Sequence, residues 1–447
     1  MTIAAGPATP APLEKRDLAP FRGILLVLAV AAAVRAVFGF LIADTFDYDE
    51  FVILLLGRDT AHGAVPYHTF MFFHPPGILA LYAALNPLLD HWWPLGRVVA
   101  ALADVATAGL VWAAARVVWD ARAGLAAGLL YAVHPLALVA SVRISQDPIL
   151  TFLGMAGLVV LLTHRGRAAA VAAGALLGAA LWIKYPAAYF LPVYVLAAPR
   201  RVLFVGAGCV LSAALLFLPD REHLAALYQQ TVTFQTTRWS MPLAQRVETT
   251  ALFWFVANVL ALPGLSRRPP AWLVAGFGLG VLFVFTSQVY YHYFVPTIPF
   301  GAILAGPVLA RRAGLIVPAG AVLALGWALL IDRGGPSPLY VTAAHLSSVM
   351  PAVEVLDRET KPSAPILADQ YEYAYLAHRP ALAHYFWNVG VIVSKTYLER
   401  RLGGAGAIVL SHGASSGYPR GFVAYVRSRH YRTFDLNGTI VWVLPGQ

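Results

Sequence analysis

The chain has 447 residues, of which 59% are hydrophobic and only 12% charged, and its mean hydropathy is +0.67. Soluble globular domains carry about 25% charged residues, so an ordinary water-facing surface is excluded; the single cysteine, Cys209, excludes a disulfide framework. The net charge of +10 is spread as short arginine clusters between apolar runs. That is the pattern of loops touching anionic headgroups, not of a nucleic-acid-binding face.

Residues 1–22 read as a Pro/Ala-rich cytoplasmic tail ending in Lys15, Arg16 and Arg22, with no prompt small-residue cleavage site. Apolar runs of membrane-spanning character follow at 23–43, 95–117, 123–142, 148–164, 168–184, 187–199, 202–218, 249–265, 271–288, 294–310 and 313–331. The sequence thus predicts an all-α polytopic membrane protein of about 11 transmembrane helices across 23–331. Arg116 and Arg122, Arg165 and Arg167, Arg200 and Arg201, Arg267 and Arg268, and Arg311 and Arg312 fall in alternate loops on the side of the N-terminal tail. The positive-inside rule makes that side cytoplasmic. The long loops 44–94 and 219–248 then face outward, as does everything after Ile331. The expected location is the cell (inner or plasma) membrane.

Residues 332–447 change character. Ala364–Asp369 and Ala407–Ser411 read as short strands, Gly421–Arg429 as a helix, and Tyr431–Asp435 with Thr439–Leu444 as a hairpin around Asn437-Gly438. The expectation is a linker followed by a small α/β domain outside the membrane, lacking a nucleophile motif, phosphate loop or metal-ligand spacing.

Chemistry-bearing residues gather at the predicted outer ends. Asp44, Asp47, Asp49 and Glu50 follow the first span; such carboxylates must face water, a cation or one another. A solvated helix end explains any one of them, but their density favours a site. His74, in Phe72-Phe73-His74-Pro75-Pro76-Gly77, is an interfacial histidine held by two prolines and suits a phosphate or a metal. Asp147, before Pro148, reads from spacing alone as a helix N-cap, a role that also fixes a carboxylate in place. Lys184, at an outer break, either snorkels to the headgroups or offers an ammonium to a phosphate. Tyr293, within Tyr290-Tyr291-His292-Tyr293, has the character of an interfacial aromatic belt with spare hydrogen-bond donors. Arg238 is one of few external arginines, and Arg35, inside the first span, either snorkels or pairs with an acid.

The order of these motifs resembles the GT-C superfamily of polyprenyl-phosphate-dependent glycosyltransferases, in particular bacterial relatives of protein O-mannosyltransferases and of the lipid A aminoarabinose transferase. The resemblance spans roughly 23–310 and rests on Asp49-Glu50 after the first span, Gly63-Ala64-Val65-Pro66-Tyr67, and His74-Pro75-Pro76. Asp147, Lys184 and Tyr293-Phe294-Val295-Pro296 complete it. One departure stands out: the family commonly has lysine where this chain has His74, and a neutral imidazole lacks lysine's permanent charge.

The resemblance implies a mannosyltransferase-like membrane enzyme of the cell envelope. It would move a sugar from a polyprenyl-phosphate donor, the co-substrate, to a glycan, lipid or protein acceptor. Asp49 is expected as base, with Asp47 its rival, and Glu50 and Asp147 as groups orienting the acceptor or a divalent ion. Lys184, His74, Tyr293 and Arg238 are the candidates for the donor phosphate. The rival readings are a transporter or lipid flippase, which would place charges at mid-membrane and show paired broken helices; a non-catalytic receptor; and a ligase transferring a whole oligosaccharide.

Overall fold

The computed structural model describes residues 19–237, 240–332, 344–382, 398, 400, 402–411, 418, 421–429 and 431–444. Helices α1 (Ala19–Leu41), α4 (Leu95–Val118) and α5 (Ala121–Ala132) pack together, and a loop carrying two more helices, α2 (Tyr48–Ala61) and α3 (Gly77–Leu89), follows α1. The apolar series continues with α6 (Pro135–Ser141), α7 (Asp147–Thr163), α8 (Arg167–Ile183), α9 (Phe190–Ala197) and α10 (Val202–Phe217). After the short α11 (Leu224–Tyr228) and α12 (Phe234–Thr237) come α13 (Leu243–Asn258), α14 (Ala271–Gly278), α15 (Ile298–Leu309) and α16 (Ala313–Asp332).

Among the described residues, five helices are long and apolar enough to cross a membrane: Arg22–Leu41, Leu95–Val118, Pro199–Thr237, Leu243–Arg267 and Tyr291–Ile331. A sixth results if α5 and α6, which meet at a 57° bend, form one broken span. The bend falls at Pro135, which has no N–H to continue the hydrogen-bond ladder of α5. Asp147–Thr163, Arg167–Ile183, Tyr185–Ala197 and Ala271–Phe285 are apolar but shorter. Side chains such as Phe40, Leu203 and Phe285 are 82%, 83% and 79% exposed, which is stable against lipid and not against water. The chain is an integral membrane protein of mostly helical architecture.

Small residues and the buried Arg35–Asp104 ion pair help hold these helices together. Gly174 and Gly178 of α8 lie against the α10 backbone, Gly208 of α10 lies against Val171 of α8, and a Cβ at Gly174 would collide with the Val205 carbonyl oxygen. Lipid offers no hydrophobic drive between helices, so close backbone approach supplies the contact instead. Gly174→Ala is therefore expected to destabilise the α8–α10 pair by about 1–3 kcal/mol, read as a lower melting temperature of the detergent-purified protein. Arg35 pairs with an acid rather than snorkelling. Its Nε donates to Asp104 Oδ2 of α4 at 2.6 Å, and the Tyr131 hydroxyl of α5 donates to the other oxygen at 2.5 Å. The guanidinium also reaches the Ala132 carbonyl at 2.9 Å, a group exposed by the α5–α6 bend.

Beyond α16, β2 (Ala344–His345) pairs antiparallel with β1 (Thr45–Phe46), which directly precedes α2. Then come α17 (Leu346–Glu359), β3 (Ile366–Ala368), α18 (Tyr371–Leu376), β4 (Ala407–Leu410), α19 (Phe422–Arg427), β5 (Arg432–Leu436) and β6 (Thr439–Val443). The sheet runs β3-β4-β6-β5, with β3 and β4 parallel and the other pairs antiparallel. The β5–β6 turn places Asn437 and Gly438 at φ 54° and 95°, as the Asn-Gly pair demands of a two-residue hairpin. Arg58 of α2 donates to the carbonyls of Tyr375 and Arg379 at 3.3 and 2.8 Å. This chain segment is thereby fastened to the loop that carries the acidic cluster.

Candidate active site

The four acids after α1 take four different positions. Asp44 is a tether: it accepts from the Ser347 backbone N–H and hydroxyl at 3.1 and 2.9 Å and lies 3.1 Å from His345 Nδ1. Asp47 is the N-cap of α2, accepting from the Asp49 N–H at 3.1 Å, while its own N–H donates to Glu50 at 2.9 Å. This reciprocal capping box fixes the first turn of the helix.

Glu50 is wholly buried and lies beneath the cavity, not in its wall. It accepts from Arg97 Nε at 2.8 Å, from Arg143 Nη1 at 3.0 Å and from the Ile144 N–H at 3.0 Å. Burial alone would raise its pKa, but Arg97 and Arg143 outweigh it and hold the carboxyl below the ordinary value. The geometry therefore corrects the expectation that Glu50 orients an acceptor or an ion: it has no exposed surface and its oxygens are committed to two arginines.

Asp49 is the acid left open. It projects from the first turn of α2 into a cavity of about 350 Å³, lined also by Asp47, His74, Asp147, Lys184 and Tyr293. Enclosure by protein raises the Asp49 carboxyl above its ordinary 3.8; Lys184 pulls it back, and Asp147 and Glu50 push it further up. Asp47 is pushed up to about 7, first by burial and then by repulsion from Asp49.

Across the cavity, the Lys184 ammonium donates to both Asp147 oxygens at 3.0 and 2.9 Å and lies 5.7 Å from the centre of the Tyr293 ring. The snorkelling expected as one option for Lys184 is not observed, since the ammonium is buried in this pair. Nor is Asp147 the cap that its spacing suggested. It is the first residue of α7, Gln146 is the N-cap, and neither side chain caps the helix.

His74 sits in the cavity wall with its carbonyl accepting from the Tyr67 hydroxyl at 2.7 Å. The turn after it needs Gly77, because a Cβ there would lie 2.5 Å from the Trp182 carbonyl oxygen near the end of α8. The His-Pro-Pro-Gly run thus packs the start of α3 against the helix that delivers Lys184. Arg238 lies outside the described residues. Among the described residues no set of three His, Cys, Asp or Glu side chains is arranged to hold a metal ion.

Sequence reasoning passed over Arg97, Arg143 and Gln146. A signal existed: Arg97 and Arg143 stand at ends of apolar runs on the side where arginines are otherwise scarce. A charge placed against the loop asymmetry calls for a protein partner.

Residues 73–220 match the family model described as Dolichyl-phosphate-mannose-protein mannosyltransferase. No curated protein sequence matches the chain. Among solved structures, ArnT from Cupriavidus metallidurans bound to undecaprenyl phosphate aligns with TM-score 0.66 at 16% identity, over 95% of this chain and 98% of that one. The Archaeoglobus fulgidus oligosaccharyltransferase in its apo form aligns with TM-score 0.56 at 12% identity, over 90% and 70%. AglB from the same organism, with an inhibitory peptide and a dolichol-phosphate, gives TM-score 0.51 at 12% identity, over 93% and 74%. In a central family segment and in its fold, the chain resembles the GT-C glycosyltransferases that use polyprenyl-phosphate-linked donors.

Proposed function

We propose that this protein transfers a sugar from a polyprenyl-phosphate-sugar to an acceptor in the cell envelope, at the outer face of the membrane. The observation that carries the reading is one cavity with an open carboxylate, Asp49, on one wall and the Lys184–Asp147 pair with His74 and Tyr293 on the others. Glycosyl transfer needs a base for the attacking hydroxyl and polar donors for a departing phosphate, and this cavity offers both.

In the proposed reaction Asp49 takes the proton of the acceptor hydroxyl as its oxygen bonds to the anomeric carbon. The bond from that carbon to the phosphate oxygen breaks, and the polyprenyl phosphate leaves with the electron pair. Asp147 holds Lys184 in place, and the ammonium, with His74 and Tyr293, faces the phosphate. Positive charge developing at the sugar ring is met by the nearby carboxylates, as in glycoside chemistry generally.

The alternation of arginine-rich loops supports about eleven spans, with the N-terminus cytoplasmic and the cavity outside. An odd count would also put the sheet-bearing C-terminal segment outside, where it would bind the acceptor, cover the cavity or serve only stability. Mass spectrometry of envelope glycolipids and glycoproteins from a deletion strain tests the reading. Loss of one hexose or pentose from one acceptor, restored by the wild-type chain, is the expected result. An unchanged glycan profile with altered solute uptake would favour a transporter instead.

A further inference from the structure

Two buried hydrogen-bond donors in the cavity wall lack a protein acceptor among the described residues. Gln146 is 4% exposed and Arg143 is 2% exposed, and both line the cavity. Gln146 Nε2 and Arg143 Nε have no hydrogen-bond partner. The other nitrogens of Arg143 are committed: Nη1 to Glu50 at 3.0 Å and to the Thr45 carbonyl, Nη2 to the Thr45 hydroxyl at 2.6 Å. The guanidinium is therefore locked, with one N–H left for the cavity. Buried donors are almost always paired, so an exception in a cavity wall points to an oxygen that arrives with a ligand.

Charge selects the kind of oxygen. Lys184 and Asp147 cancel one another, whereas the single carboxylate of Glu50 is shared by Arg97 and Arg143. That trio has one positive charge in excess, and Arg143 is its member that borders the cavity. Two further carboxylates stand in the wall, Asp47, which caps α2 through the Asp49 N–H, and Asp49, which is kept for the acceptor hydroxyl. The first turn of the 17-residue α7 begins at Gln146 without a side-chain cap, so its N–H groups add positive partial charge.

We propose that Arg143 and Gln146 form an oxyanion subsite, with Arg143 Nε–H and the Gln146 carboxamide donating to oxygens of the carrier phosphate. The inference rests on the glycosyl-transfer reading and extends it. It gives a phosphate contact to a segment, 143–146, that carries none of the residues singled out for that role from sequence. Arg143 also clamps Glu50, so Gln146 is the residue that can be altered without dismantling the scaffold.

The test uses the full-length protein in detergent and undecaprenyl phosphate, which carries no sugar, with the dissociation constant read by tryptophan fluorescence. Gln146→Leu is expected to weaken binding by about tenfold, the value of a hydrogen bond to a charged group. Gln146→Glu, nearly isosteric, is expected to weaken it further by opposing the phosphate charge, and it carries the test if the leucine variant does not elute as a folded monodisperse species. If both variants bind undecaprenyl phosphate as the wild type does, the subsite is wrong. Unchanged phosphate affinity with impaired transfer would equally overturn it, by moving Gln146 to the sugar hydroxyls. A wild type that does not bind undecaprenyl phosphate at all would sink the functional reading itself, which keeps the two failures distinct.

Discussion

Asp49→Asn is expected to lower sugar transfer by about 10²–10⁴-fold, the usual contribution of a positioned general base, while leaving expression and membrane insertion intact. Asparagine keeps the size of the side chain, and the Asp49 side chain is open to the cavity rather than packed in the core. The capping box is also untouched, because it uses the Asp49 backbone N–H and the side chains of Asp47 and Glu50. Loss of transfer without loss of folded protein therefore isolates the carboxylate. The pH profile gives an independent reading. A base works only when deprotonated, so activity falls as pH drops through its pKa. Because enclosure raises the Asp49 carboxyl above its ordinary value, the acidic limb is expected above that of a solvated carboxylate. A limb near 4 would argue for a solvated carboxylate without this role, and transfer by Asp49→Asn at the wild-type rate would sink the base assignment outright.

The apolar segments were legible in the sequence because hydrophobicity is a local property. The run 95–117 corresponds to Leu95–Val118, and 168–184 to Arg167–Ile183. The Asn437-Gly438 hairpin was legible for the same reason, since its turn chemistry is contained in two residues. What the acidic residues do was not legible. Whether an acid tethers, caps, clamps or stays open depends on partners far along the chain. Glu50 meets Arg97 and Arg143, 47 and 93 residues away, and Asp44 meets His345, 301 residues away. Local spacing also misassigned Asp147. Asp-Pro at a helix start reads as a cap, but a buried ammonium 37 residues away draws the carboxylate out of that role. A free carboxylate caps a helix to satisfy backbone donors; one beside a desolvated lysine gains more from the charge-assisted pair.

Glu50→Ala is expected to be the most damaging single change to the scaffold, costing about 3–5 kcal/mol, because it leaves two guanidinium groups without their shared carboxylate. Glu50 and Arg143 are buried, and Arg97 is nearly so, with a 12% exposed side chain. Their connections join the start of α2 to Thr45 before it, to the start of α4 through Arg97, and to the segment entering α7 through Arg143 and Ile144. Removing the carboxylate loosens all of these contacts together, including the turn that aims Asp49. The expected signature is a large fall in melting temperature and in recovery of monodisperse protein, with transfer lost in parallel. Asp49→Asn should show no such fall, so the two adjacent acids separate experimentally into a scaffold residue and a chemical one. Coupling provides the sharper check. Glu50→Gln combined with Arg97→Met reduces the uncompensated charge, and is expected to recover part of the stability lost in Glu50→Gln alone. If the double variant is no more stable than the single one, the damage does not arise from stranded charge, and Glu50 acts on the site by another route.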